Sequence, residues 1–352
     1  MRSFAVIDRL IGHVPASVVT GLRLVDIGRG SEDLYRNQLP GLLQQLANRT
    51  RIESIAASSA IEGIVVPDPS RADRIITGRA KTLRTRSEQE LAGYRDAQDY
   101  LFQKTWKPLN LGLLLYLHRL LFAHTAAPGG RFRTEDNLVV DRSPHGGVTI
   151  RFRPVPASQT EFYVAELIDR YQATMAEGHH HPVLLVGLFV IDLLTIHPFE
   201  DGNGRIARAL TSALLEDAGY TVGGYVSLEH VIERTAEDYC RALLESTNGW
   251  HDDDADPWPW LSYFVGILAG AYKTFGERAA SARSDGSKQE RVRDYVLNHA
   301  PTVFRKGDVR DALPGVSDQT IVLVLNRLRT AGEIASEGVG RAATWRRTPT
   351  TR

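Results

Sequence analysis

A single cysteine, Cys240, stands in a chain of 352 residues. No intramolecular disulfide and no cysteine-built zinc cage can form from it. Charge of one sign is also missing: 42 Lys and Arg balance 42 Asp and Glu. That excludes a global basic field drawing the whole molecule to nucleic acid or to an anionic membrane. No run approaches the roughly 20 apolar residues that cross a bilayer. The best candidate, Pro182 to Ile196, is shorter and holds Asp192, so it reads as a buried helix. The segment from Met1 to Arg9 is broken by charge and lacks the apolar stretch of an export signal. These absences fit a cytoplasmic protein with no membrane contact. Repeats and low-complexity tracts are absent too.

What is present supports a sizeable core: 43% of residues are hydrophobic and 24% charged, near globular averages. Helical periodicity dominates, over Leu39–Ile61, Ser87–Phe102, Leu109–Leu121, Gln159–Ala176 and Pro182–Leu194. A break falls at Gly63 to Pro69, where Pro67-Asp68-Pro69 interrupts the pattern. One segment differs. Between Gly129-Gly130 and Ala157, the β-prone runs Leu138-Val139-Val140 and Val148-Thr149-Ile150 flank Gly146-Gly147, which predicts a β-hairpin. Past the polar stretch Ser281 to Gly286, helices are predicted at 291–298, 306–313 and, capped by Ser317, up to Ala331. Short strands at 334–336 and 343–345 around Gly338 and Gly340 complete a winged helix-turn-helix pattern. The expected organisation is mainly α: a helical N-terminal region over 1–105, a central helical core with a hairpin over 106–275, a linker at 276–287 and a winged helix over 288–352.

The segment His197-Pro198-Phe199-Glu200-Asp201-Gly202-Asn203-Gly204-Arg205-Ile206-Ala207-Arg208 carries the most chemistry. Gly202 and Gly204 bracket Asn203 directly before a helical run, so successive N–H groups converge at a positive helix end and form an anion site. Arg205 and Arg208, three apart, can grip phosphate oxygens. Asp201 supplies a hard oxygen ligand beside them, sufficient for Mg²⁺ when phosphates complete the shell. His197 stands close enough to take a proton from an attacking hydroxyl, with Pro198 and Phe199 pinning the chain behind it.

These residues match the signature of Fic proteins, His-x-Phe-x-(Asp/Glu)-Gly-Asn-Gly-Arg-x-x-Arg, at every fixed position, and the chain resembles that family. The resemblance implies a helical core with a β-hairpin flap and transfer of AMP from ATP to a Ser, Thr or Tyr hydroxyl of a target protein. It implies His197 as general base, Asp201 as Mg²⁺ ligand, and the backbone of Gly202, Asn203 and Gly204 cradling the α- and β-phosphates. Arg205 would bind the β-phosphate region and Arg208 the γ-phosphate. Gly130-Arg131-Phe132-Arg133, Asn137 and Phe152-Arg153-Pro154-Val155-Pro156 resemble the family's flap pieces, although Val155 interrupts the usual Pro-Pro. The flap, residues 131–156, would hold the target by strand addition. Tyr239 falls where the family often closes the nucleotide pocket, with adenine contact and core packing as open alternatives. Homodimerisation, common in the family, is a further implied partner state.

Ser58, Glu62 and Gly63 fit the family's inhibitory motif, (Ser/Thr)-x-x-x-Glu-(Gly/Asn). Ser58 and Glu62 lie i and i+4 on one helix face, from which Glu62 could pair with Arg208 and block the γ-phosphate site. His179-His180-His181 reads as a helix start rather than a metal tract. From Lys288 to Arg352 stand twelve Lys or Arg against seven Asp or Glu, which suggests DNA. However, Val322 and Leu323 are expected on the exposed face of the third helix, and aliphatic side chains cannot read base edges by hydrogen bonds. Protein contact is therefore at least as well supported. Two other functions stay open: an AMP-removing hydrolase using the same site, and a regulator that senses nucleotide.

Overall fold

A computed structural model describes residues 3–38, 40–103, 106–142, 148–252, 254–283, 288–313, 315–337 and 343–347. In chain order the elements are α1 (Ile7–Ile11), α2 (Ala16–Gln38), α3 (Pro40–Ile61), α4 (Pro69–Ile76), α5 (Arg86–Phe102), α6 (Leu111–Leu121), β1 (Val139–Arg142) and β2 (Val148–Phe152). There follow α7 (Thr160–Glu177), α8 (Pro182–Ile196), α9 (Asn203–Asp217), α10 (Leu228–Arg234), α11 (Ala236–Thr247) and α12 (Trp258–Arg283). The last group is α13 (Lys288–Asp294), β3 (Val303–Arg305), α14 (Lys306–Ala312), α15 (Asp318–Thr330), β4 (Ile334–Glu337) and β5 (Thr344–Arg347). The chain divides into two compact units, Met1–Arg29 with Arg49–Ala271, and Gly30–Asn48 with Tyr272–Arg352.

The first unit is built around α8. Its sequence is apolar on every face, and nearly every side chain in it is buried, as expected of a core helix rather than an amphipathic surface one. None of the described helices is long and apolar enough to cross a membrane. Pro182 sits in the first turn, where its missing N–H costs nothing, and the His181 side chain accepts from Val183 N. His181 thus caps a helix start, and among the described residues no three His, Cys, Asp or Glu side chains are grouped so as to hold a metal ion. Helices α7 and α9 pack against α8, while α5 packs on α6 and α9. The break after α3 ends where Asp68 caps α4 and Pro69 opens it. Strands β1 and β2 form the expected antiparallel hairpin, Val140 opposite Ile150, with an irregularity between Val139 and Val140. Its turn, including Gly146 and Gly147, lies outside the described residues.

In the second unit Tyr35 packs edge-on against Phe275 at 5.6 Å, and the Tyr272 hydroxyl donates to Glu32 Oε2 at 3.3 Å. Val292, Val296, Phe304, Val309, Ile321, Leu325 and Leu328 make a separate apolar core. Ser317 caps α15 by accepting from Thr320 N. The sheet order is β3-β5-β4, all antiparallel; Gly338 and Gly340 fall outside the described residues. Two expected boundaries change. The linker placed at 276–287 is helix as far as Arg283, because apolar residues such as Phe275 and Ala279 bury one side of α12 despite its polar end. The division at 105/106 is no boundary either, since α5 and α6 flank it and pack together, whereas Gly30–Asn48 groups with the C-terminal residues.

Candidate active site

Helix α8 ends at His197, whose φ of 51° places it in the left-handed region, unlike every other described non-glycine residue. That conformation costs on the order of 1–2 kcal/mol and turns the imidazole off the helix axis. Surrounding bonds hold it there. His197 N donates to Leu193 O at 3.0 Å, and Arg133, only 3% exposed, donates from Nε to His197 O at 2.9 Å. Arg133 also reaches Glu135 O, Ile196 O and Val155 O, so one guanidinium ties the turn at His197 to both ends of the hairpin. The His197 ring hydrogen-bonds through Nδ1 to Leu194 O at 3.2 Å. A carbonyl only accepts, so Nδ1 carries the proton and Nε2 is left as a base. Burial holds the imidazole below its ordinary value, opposed by the Leu194 bond and reinforced by the Arg133 charge.

The loop between α8 and α9 is closed by Asn203, whose Oδ1 accepts from Phe199 N at 2.9 Å and whose Nδ2 donates to Phe199 O at 2.8 Å. Gly202 caps α9 at φ 84°, a conformation open to glycine at little cost. The Asp201 side chain is 55% exposed, and its Oδ1 accepts from Gly202 N at 2.5 Å. An exposed carboxylate beside a helix N-terminus suits a hard divalent cation sharing its shell with phosphates.

His118, which the sequence does not single out, supports this loop from below. It is 3% exposed, stacks on Phe199 at 4.0 Å and 10°, and accepts at Nδ1 from Gly130 N at 3.0 Å. Its Nε2 therefore donates to Asp201 O at 3.2 Å. Burial pushes its value down to about 4. The unfolded chain takes up this proton first on acidification, so the stability tied to neutral His118 is complete above the ordinary histidine range and is lost as pH falls toward 4. Between about pH 7 and about pH 4.5 the loss from this residue is about 2–3 kcal/mol. Urea unfolding at the two pH values should show a smaller pH-dependent loss in His118→Phe than in the unaltered protein; equal losses would contradict it.

Arg205, expected to grip phosphate, is 1% exposed and turned inward. Its Nη1 bonds Glu90 Oε2 at 2.8 Å, its Nη2 lies 3.4 Å from Asp201 Oδ1, and its guanidinium lies 5.5 Å from the Phe122 ring centroid. Glu90 is itself buried and shares its other oxygen with Arg86 at 2.6 Å. Arg205 is thus paired with Glu90 and backs Asp201, as a buried guanidinium must keep a counter-ion.

Ser58, Glu62 and Arg208 meet as the spacing requires. Arg208 Nη2 bonds Glu62 Oε1 at 2.8 Å and Ser58 O at 3.0 Å, while Nε donates to Ser58 Oγ at 2.8 Å. Gly63, at φ 74°, closes α3: Gly63 N bonds Ala60 O at 2.9 Å and Ile64 N bonds Ser59 O at 3.0 Å, the paired bonds of a Schellman stop. That stop aims Glu62 at the start of α9. A side chain at Gly204 would collide with Glu62 Oε1 and meet Arg208 Nη1 at 3.0 Å, so the carboxylate lies directly over the first turn of α9. Tyr239, weighed as an adenine contact, is instead 6% exposed and packs edge-on to Trp260 at 5.8 Å. It lines the same small cavity as Arg208 and so backs that arginine from the core.

A helix start lined with amides, a carboxylate beside it and an imidazole with one nitrogen free are groups suited to a phosphate, on a mainly helical scaffold. Residues 108–215 match the model of the Fic/DOC family. Protein adenylyltransferase Fic of Drosophila virilis is 32% identical over 137 residues, covering 37% of this chain and 25% of that protein. The chain thus spans about a quarter of the length of the curated relatives it matches. A Fic family protein from Desulfovibrio desulfuricans G20 shares the fold with a TM-score of 0.62 at 23% identity, over 97% of this chain and 98% of that one. Fic-1 (aa134–508) from C. elegans does so with a TM-score of 0.54 at 19% identity, over 80% and 74%. Over residues 108–215 the chain thus carries a Fic/DOC domain.

Proposed function

We propose that the protein moves AMP from ATP to a Ser, Thr or Tyr hydroxyl of a target protein, and of itself, and that Glu62 holds this activity down. The observation that carries the reading is the Glu62 carboxylate lying over Gly204 against Arg208, where a terminal phosphate would sit, near enough to His197 for its charge to act on that imidazole. The name of the Drosophila relatives, protein adenylyltransferase, supports the reaction class.

In this reading the hydroxyl attacks the α-phosphorus in line, His197 Nε2 takes its proton, and pyrophosphate leaves. The amides of Asn203 and Gly204 have no intrahelical carbonyl to bond and hold the phosphates, with Arg208 taking the terminal one once Glu62 has moved. Asp201 would hold Mg²⁺, which neutralises phosphate charge when bound. Positioning and charge neutralisation then supply most of the acceleration. Because His197 acts only when neutral and burial depresses its value, activity should persist into acid. The acid limb of kcat/KM for Glu62→Gly is expected below the ordinary histidine value of about 6.5. A limb above that value would contradict the assignment. Exposing the protein to ATP with and without Mg²⁺, and following label into protein, tests the reaction itself.

The C-terminal elements from α13 to β5 support a winged helix. Val322 and Leu323 on α15 are 41% and 42% exposed, while Ile321, Leu325 and Leu328 are buried, which favours a protein partner over base reading. Duplex DNA at low salt is expected to give no mobility shift; a shift that weakens steeply with salt would point to DNA instead.

A further inference from the structure

The hairpin is held from two sides, and only one side belongs to the catalytic turn. On that side Arg133 spans His197 O and Val155 O, and Asp136 Oδ1 accepts from Ala157 N at 2.6 Å. On the other side stands His251, in the short turn after α11. Its imidazole lies parallel to the Phe152 ring, 5.5 Å between centroids at 6°, and its Nε2 donates to Arg153 O at 2.7 Å. One side chain therefore grips the last residue of β2 by its ring face and the next residue by its backbone.

His251 is in turn fixed. Trp250 is 3% exposed and donates from Nε1 to Asp192 Oδ1 at 3.0 Å. Asp192, buried in α8, also accepts from Ser3 N at 2.9 Å and Ser3 Oγ at 2.8 Å. Five residues further along α8 stands His197. Base and flap support thus hang on one rigid helix, at its end and through Asp192-Trp250-His251.

We propose that His251 is a positioning residue for the protein acceptor, pinning the outgoing end of β2 so that the flap lies at a fixed place relative to His197. The proposal rests on the AMP-transfer reading for its acceptor and on the contacts above for its geometry. Nothing in it touches the nucleotide: His251 meets β2, whereas the amide-lined helix start is served by α9, Asp201 and Arg208.

The test uses the full-length chain carrying Glu62→Gly, with Mg²⁺-ATP as donor and the full-length His197→Ala chain as acceptor. His251→Ala should speed amide exchange at 139–142 and 148–152 by about tenfold. It should raise KM for the acceptor chain by a similar factor while leaving KM for ATP unchanged. His251→Gln, which restores a donor toward Arg153 O, should recover part of both effects. Unchanged exchange in the flap, or an equal loss of ATP affinity and of protection throughout the first unit, would overturn the proposal. If the Glu62→Gly chain transfers no AMP while His251→Ala still loosens the flap, the transfer reading and the acceptor role fall together, and the flap anchor alone stands.

Discussion

Replacing Glu62 with glycine is expected to raise AMP transfer by roughly 10–150-fold. The figure follows from the bond that holds the carboxylate in place. A hydrogen bond between charged groups is worth about 1.5–3 kcal/mol net, and that is the bias Glu62 places on the closed arrangement through Arg208 at 2.8 Å. Losing it shifts the population of the open site by the corresponding factor. Arg208 keeps its bonds to Ser58 Oγ and Ser58 O, so the arginine stays aimed and is freed for phosphate. The substitution leaves the backbone of α3 in place: Glu62 follows its last helical residue, and the stop at Gly63 is made by backbone groups. Initial rates of label transfer from ATP, compared between the two proteins, measure the effect. Equal rates would remove Glu62 as a brake.

His197→Ala, made in the Glu62→Gly chain, is expected to lower the transfer rate by about 10²–10⁴-fold, the usual worth of a positioned general base. KM for ATP should change little, because Arg208, the α9 amides and Asp201 remain. The same substitution leaves a non-glycine residue in the left-handed region, since alanine meets the same backbone strain. Its thermal stability should therefore be close to that of the parent. A parallel rise in KM for ATP would instead mark His197 as a nucleotide-binding residue.

The parts of the site written in adjacent residues were readable from sequence. Gly202 and Gly204 at a helix start, and Ser58 and Glu62 one turn apart, owe their geometry to local backbone rules that spacing reveals. What escaped depends on distant contacts. His118 looks like one polar residue among the leucines of α6, yet it supports a loop that begins some eighty positions away; a histidine between Leu117 and Leu121, on the buried side of that helix, was the available signal. Glu90 lies on α5 and meets Arg205 across the fold, which no periodicity exposes. That distant carboxylate is also why Arg205 faces inward, against expectation. Tyr239 was placed near the nucleotide by its position in the family pattern, but packing with Trp260 decides its burial. The polar end of α12 hid its last turns, although Phe275 and Ala279, one four-residue step apart, bury that side of the helix.

Mass analysis of the Glu62→Gly chain after exposure to ATP and Mg²⁺ tests the central claim most directly. One added AMP mass is expected, absent when His197→Ala is present as well and much weaker in the unaltered protein. An unmodified Glu62→Gly chain, or modification that persists without His197, would contradict the account.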